Sequence, residues 1–354
     1  MNRHRATHST APADVAVLLG DPRLPYAYNK SGRIEPHDLD DVHALKDALA
    51  ALQGYRFTYL DDHERLLGDL SRQSPSLVLN FCNTGYRNHM WRQLHIPALL
   101  EMVDLPYAGA GPEALVVCHD KDLVRLVAGE LGIPVPRQTM VDLTAAASAE
   151  PPAFPVIVKP NHGDGSFGIT ENALARSQTE VDRQLRWLAD VLERPTVVLQ
   201  EFLPGAEYSV LLVGNPGAGF VPLPPLEIDF GAIGPGLPPI MTHASKVDPD
   251  SPYWSGLRFR PARLPGPARE GLLDHCRRLF ARLGCRDYTR FDFRADAGGE
   301  PRLIDVNAHP TWGRSGMVHA MAEYAGYSDS QLLGLIVEAA HRRLASGPKG
   351  ASRE

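Results

Sequence analysis

The chain has 354 residues, enough at roughly 150 per domain for two to three domains with a cleft between them, which argues against a single small binding module. Charged residues make up 22% and apolar residues 44%, close to the averages of folded proteins, which excludes wholesale disorder. The formal net charge of −6 lacks the basic surplus that a phosphate backbone demands, so nucleic acid is not an expected partner.

Residues 1–13 hold arginines and histidines with no apolar segment behind them, and no apolar run reaches the 18 residues of a membrane span. A cytoplasmic protein without a membrane partner is expected. The first element is DVAVLLG at 14–20, a short apolar run ending in glycine; a helical pattern over Leu39 to Gln53 follows, with Val42, Leu45 and Leu49 on one stripe. Runs at Phe57–Leu60 and Ser76–Phe81 continue the alternation of strand and helix, which predicts an α/β unit with a parallel sheet over 13–112. A small α+β unit over 113–200 takes a helix at His119–Leu131, a strand at Pro155–Lys159, a glycine-rich loop, a helix at Glu180–Val191 and a strand at Thr196–Gln200. Strands dominate 201–345. Within it the proline- and glycine-rich stretch Pro222–Pro267 reads as long surface loops suited to a lid, and helices at Gly266–Leu283 and Ser328–Leu344 surround the last strands. Residues 346–354 have no apolar anchor and predict a disordered tail.

Cys82, Cys118, Cys276 and Cys285 form no C-x-x-C pair and no H-E-x-x-H occurs, so zinc chemistry has no support. Only six lysines are present, at 30, 46, 121, 159, 246 and 349, so their positions carry information. An ammonium is a compact point charge that reaches single phosphate oxygens.

Three segments carry chemistry. Tyr288–Asn307 reads as a β-hairpin turning at 296–299, with Arg290, Asp292 and Arg294 on one face, Phe291 and Phe293 on the other, and Asp305 and Asn307 alternating with Ile304 and Val306. If the polar faces coincide, two carboxylates and an amide oxygen converge within about 5 to 7 Å, the hard-oxygen set that magnesium takes beside a nucleotide. A solvated face of cross-strand ion pairs fits the pattern equally well. In Pro155–Thr170 a strand ends at Lys159-Pro160 and enters a loop with Gly163, Gly165 and Gly168, which is either a plain turn or a cradle of backbone N–H groups for phosphate. In Val197–Val210, Glu207 sits on a strand among apolar neighbours, either as an edge residue or as an acceptor for ribose hydroxyls.

In this order the segments VIVKP with its glycine loop, EFLPGAEYSV, RFDFRADAGGEPRLIDVNAHP and AGYSDSQLLGLIVEAA resemble the ATP-grasp superfamily, and within it the D-alanine-D-alanine ligase family, over about Val15 to Ala340. The resemblance implies an ATP-grasp fold: an N-terminal parallel-sheet domain followed by central and C-terminal domains that sandwich ATP. It implies that Lys121 and Lys159 hold phosphates together with the loop of Gly163, Gly165 and Ser166, and that Lys246 meets the γ-phosphate from a mobile loop. Glu201, Phe202 and Leu203 would lie on adenine and Glu207 on ribose, with Asp292, Asp305 and Asn307 on Mg2+. Arg290 would stand beside the transferring groups, and Thr311, Trp312, Ser315 and Gly316 would border the second substrate. The implied reaction joins small-molecule carboxylate and amine substrates, amino-acid-like, through an acyl phosphate, and a homodimer is implied as well.

Several family features are missing. The segment after the first strand, which in the family supplies an acid for the first substrate's ammonium, reads Asp21-Pro22-Arg23-Leu24-Pro25, and the histidine-glycine loop is replaced by NFCNTGYRN at 80–88. Val247 follows the loop lysine where the family has tyrosine, Gln200 replaces a glutamate near adenine, and bulky Trp312 stands where small residues are usual. Together with Tyr26 and Tyr28 these changes point to a ligase for substrates other than two D-alanines. An authentic cell-wall D-alanine-D-alanine ligase and a nucleotide-binding regulatory protein without ligase activity are the alternatives.

Overall fold

The computed structural model of the chain describes residues 11–145 and 148–346. The expected tail falls mostly outside them: Ser346 closes the last helix, and 347–354 lie beyond the described residues. The first sheet is parallel, with β1 (Ala13–Leu18), β2 (Tyr55–Leu60), β3 (Leu77–Asn80) and β4 (Tyr107–Ala108) in the order β2-β1-β3-β4. The helices α1 (Pro36–Ala50), α2 (Leu66–Gln73) and α3 (His95–Met102) alternate with these strands. Helix α1 starts earlier than the apolar stripe predicts, because Pro36 takes its first turn and Glu35 and Asp38 cap each other's backbone.

After α4 (Pro112–Cys118) and α5 (Lys121–Glu130), the antiparallel second sheet is built from β5 (Gln138–Asp142), β6 (Val156–Pro160), β7 (Leu174–Ala175) and β8 (Thr196–Glu201), ordered β5-β8-β6-β7. Helix α6 (Gln178–Val191) covers it with Val181, Leu185 and Leu188. The third sheet runs β12-β11-β9-β13-β14 and is antiparallel throughout, from β9 (Glu207–Asn215), β10 (Gly219–Pro222), which pairs only with β9, β11 (Leu226–Asp229), β12 (Arg258–Pro261), β13 (Tyr288–Ala295) and β14 (Pro301–Asn307). Short helices α7 (Ala244–Val247) and α8 (Pro252–Gly256) lie between β11 and β12, and α9 (Gly266–Arg282), α10 (Met317–Tyr324) and α11 (Asp329–Ser346) complete the chain.

The reading of Pro222–Pro267 as loops is thus corrected. Leu226 and Ile228 are buried while Glu227 and Asp229 both pair with Arg260, a strand alternation embedded among prolines. Only the span between β11 and β12 remains available as a lid. All four cysteines are free and buried, as expected.

The first and third sheets are joined around Asp287, which is fully buried at a positive φ of 65°. Its carboxylate accepts from Gly109 N after β4 at 2.9 Å, from Asn215 Nδ2 at the end of β9 at 2.9 Å, and from both Nε and Nη2 of Arg343 on α11. Removing one partner strands a buried charge, which costs about 3–5 kcal/mol. Arg343→Ala is therefore expected to lower Tm by roughly 6 °C or more, and a melting curve superimposable on the parent's would refute this account of the joint.

Candidate active site

The hairpin forms as the alternation predicts, with Arg290 opposite Asn307 and Asp292 opposite Asp305. Phe291 and Phe293 are buried in the core with residues of α9, while Arg290, Asp292 and Arg294 face a cleft between the second and third sheets. One detail differs. A bulge after Asp292 pairs Phe293 with Leu303, so Leu303 enters the core beside Val306 and Ile304 turns to the cleft with Asp305 and Asn307.

Asp292 is the fixed point of this face. Its Oδ2 accepts from Arg290 Nη2 at 2.8 Å and Asn307 Nδ2 at 3.0 Å, and its Oδ1 from Arg290 Nε at 3.0 Å and from Ser209 Oγ. Asp305 is less committed: among the described residues it accepts only from its neighbour Val306 N at 3.1 Å, and it lies 4.0 Å from Lys121 Nζ.

Lysines 121, 159 and 246 all line the same cleft of about 120 Å³. Lys121 Nζ donates to Gly163 O at 2.5 Å, and Lys159 Nζ to Gln200 Oε1 at 3.1 Å and more loosely to Ile304 O at 3.5 Å. Among the described residues neither Lys159 nor Lys246 has a carboxylate within ion-pair distance. Burial, with Lys121 nearby, pushes the Lys159 ammonium down to about 8; burial and the Arg290 guanidinium do the same to Lys246. A buried cationic cleft of this kind is completed by a polyanion.

The glycine loop borders the cleft through 163–167, and Gly163, Gly165, Ser166 and Gly168 all hold positive φ, the serine at 60°. Glu201, Phe202 and Leu203 line it too, but the Glu201 carboxylate is taken by Arg137, and the Glu201 and Phe202 N–H groups go to Arg137 O and Pro155 O. Glu207 is buried against Arg294 at 2.9 Å. Burial holds its carboxyl above the usual range, although Arg294 opposes the rise. The role of Arg294 was not legible: it also donates to Leu203 O and Pro239 O and lies over Phe202, fastening the wall of the cleft.

A second cavity of about 520 Å³ opens beside the first and shares Asp164, Gly165, Lys246, Arg290 and Asn307 with it. Thr311, Trp312, Ser315 and Gly316 line it together with Pro22, Tyr26 and Tyr28, whereas Leu24 and Pro25 do not. Asp21 is buried and caged by His63 N, Arg23 N and Arg23 Nε, and Asn88 of the 80–88 loop bonds its backbone on both sides. Asp38, Asp61 and Asp164 line the cavity, and so does Asp41 of α1, which was unread in the sequence because an acid on a helical turn carries no signal. It accepts Arg314 N at 2.9 Å, and a Cβ at Gly313 would lie 2.6 Å from its Oδ2.

A family model described as the D-ala D-ala ligase C-terminus matches residues 236–338. A D-alanine–D-alanine ligase of Bordetella petrii is 30% identical over 245 residues, covering 68% of this chain and 70% of that protein. The chain belongs to the D-alanine-D-alanine ligase-like family of ATP-grasp enzymes. As such it is an ATP-dependent, ADP-forming C–N ligase. An uncharacterized protein of Sinorhizobium fredii is 28% identical over 308 residues, 83% of this chain and 86% of its own length. In fold, the D-alanine–D-alanine ligase of Bacillus anthracis matches with a TM-score of 0.70 at 19% identity, covering 95% of this chain and 100% of that one. The VanG D-Ala:D-Ser ligase of Enterococcus faecalis matches at 0.67 and 16% identity, over 93% and 99%. Among the described residues no helix is long and apolar enough to cross a membrane.

The depressed lysines give the family's nucleotide chemistry a pH signature. With both near 8, phosphate binding favours their charged forms and must draw protons in. Titration with a non-hydrolysable ATP analogue at pH 8, in buffers of differing ionisation enthalpy, is expected to show net proton uptake, and affinity should fall as pH rises above 8. Proton release, or an affinity flat from pH 7 to 9, would contradict the burial of these charges.

Proposed function

We propose that the chain ligates a carboxylate and an amine, both amino-acid-like, that are not two D-alanines. The observation that carries the substrate half is the lining of the 520 Å³ cavity. Tyr26, Tyr28, Trp254, Phe259 and Trp312 present aromatic surface there, whereas a pocket for one methyl group needs small, close walls. Asp21 is locked in its own hydrogen bonds, so the acid nearest the first strand is not free for an ammonium. Asp41 is the carboxylate best suited to that task, half-buried and without an ion-pair partner among the described residues; burial raises its carboxyl above the ordinary range.

In this reading the glycine loop, Lys121 and Lys159 seat the phosphates, and Lys246 and Arg290 meet the reacting end. Two anions approach when a substrate carboxylate reaches the terminal phosphate, and Arg290 with the lysines lowers that repulsion. Two carboxylates and an amide oxygen at Asp292, Asp305 and Asn307 fit magnesium, which takes hard oxygen donors beside phosphates. When bound there, the metal adds positive charge at the phosphate oxygens. Arg290 lines both cavities, so it is placed to steady the oxyanion of the activated carboxylate as the amine attacks. Leu203 N–H makes no hydrogen bond among the described residues and is the free backbone donor for a base, while Glu207 keeps one oxygen for ribose. The span 230–257, with Lys246, is the cover that keeps water from the activated carboxylate.

Asp305→Ala is expected to lower ADP release at least about 100-fold, with circular dichroism unchanged because the hairpin face contributes little packing; release at the parent rate would remove Asp305 from the metal set. D-alanine alone should give ADP release near background, while a panel of bulkier amino acids and carboxylates paired with amino acids should contain a strongly active pair. Efficient D-alanyl-D-alanine formation would instead favour the cell-wall reading.

A further inference from the structure

The segment between β1 and α1 reaches far across the molecule at one side chain. Tyr28 Oη donates to Gly165 O at 2.6 Å, joining residues 137 apart in sequence. Its ring meets the His243 imidazole edge-on at 4.5 Å, with Tyr26 stacked behind it at 5.6 Å. His243 belongs to the element that carries Lys246. Its N–H donates to Ile169 O just past the glycine loop at 2.9 Å, its ring packs on Phe167 at 5.5 Å, and its carbonyl accepts from Lys246 N at 2.9 Å. Lys30 adds a surface ion pair to Asp248 at 3.2 Å.

Two facts make this more than a surface contact. A Cβ at Gly165 would fall 2.2 Å from Tyr28 Oη, so the tyrosine occupies the space that a side chain at 165 would need. Asp164, Gly165 and Lys246 line both cavities, so the contact stands on the partition between the nucleotide cleft and the substrate cavity. The loop it holds has four residues at positive φ within 163–168, a conformation with little stiffness of its own and a high ordering cost.

We propose that Tyr28 is a positioning residue for the ligase reaction: its hydroxyl holds the glycine loop and its ring holds the Lys246 turn, so that the two phosphate-facing elements are set as one unit against the substrate-bearing domain. The inference rests on the ligase reading of the site given above. In its absence the nucleotide itself must order both elements, and they need not order together.

Hydrogen–deuterium exchange on the full chain, with magnesium and a non-hydrolysable ATP analogue, tests this without knowing either organic substrate. Tyr28→Phe keeps the ring but frees the glycine loop, and since His243 N–H hangs on Ile169 O at the end of that loop, exchange is expected to speed in peptides covering 163–169 and 242–248 together, about five- to tenfold, with peptides of β9 unchanged as the control for an intact fold. Lys30→Ala, an exposed change that leaves Tyr28 in place, should loosen 242–248 alone. With the most active substrate pair, Tyr28→Phe should lower kcat about tenfold while KM for ATP moves less than about threefold, since every phosphate-facing lysine is retained. Unchanged exchange in either segment of Tyr28→Phe overturns the proposal whatever the activity. Joint loosening in a protein for which no bulky substrate pair is active supports the coupling and counts against the substrate reading alone.

Discussion

Positive charge buried beyond its local neutralisation governs the cleft. Lys159 and Arg290 are each less than a tenth exposed, and Lys121 and Lys246 stand near them, yet among the described residues only Arg290 of these four has a carboxylate at hydrogen-bond distance. Burying ammonium groups without counter-charges is expensive, and the protein lets the proton affinity of Lys159 and Lys246 fall rather than supply carboxylates to them. Such a site is stable enough to persist and unsatisfied enough to bind. The face of the hairpin decides how the deficit is filled: Asp292 is held in place by Arg290, Asn307 and Ser209, whereas Asp305 keeps most of its acceptor capacity.

Strand β9 is the element on which that arrangement is built. It is buried along its whole length and pairs with β10, β11 and β13. One face sends Tyr208, Val210 and Leu212 into the core over α9. The other begins polar, with Glu207 holding Arg294 and Ser209 holding Asp292, then turns apolar at Leu211 and Val213, which pack in the core shared with β1, β3 and α11. A single strand thus supports the cleft at one end and anchors the first sheet's neighbours at the other. The Asp287 cluster sits at that second end, where the end of β9, β4 and α11 meet.

What was legible in the sequence was local. The hairpin could be read because period-two alternation across 288–307 survives in the letters, and the glycine loop because glycine marks backbone that other residues avoid. The bulge that turns Ile304 outward was not, since one inserted residue is decided by packing of Leu303 against the core rather than by propensity. Strands β11 and β12 were hidden because prolines on both sides outweigh four-residue alternations. Arg294 and Tyr28 act across 87 and 137 residues. No spacing rule reaches that far, and each was readable only as a face or a lining. Helix α10 went unread because Gly-, Ser- and Thr-containing 311–316 resembles a continuing loop.

The two cavities divide the protein's chemistry. Of the residues common to both, Arg290 and Asn307 belong to strands and Lys246 to its turn, and these three serve any carboxylate that is to be activated. Besides Trp254, Leu257 and Phe259 near the Lys246 turn, much of the remaining lining of the larger cavity comes from 22–46, 81–93 and 311–316, and these segments are braced by contacts of their own: Asn88 on the Asp21 backbone, Asn83 Nδ2 on His309 O, Asp41 on Arg314 N. Apart from Tyr28, which braces the glycine loop, side chains there can change without disturbing a phosphate contact. Specificity is a difference of affinities, and a fold that confines substrate contacts to independently braced loops can alter that difference while the nucleotide half stays as it is. Family membership therefore constrains the reaction of this chain more tightly than it constrains the molecules joined.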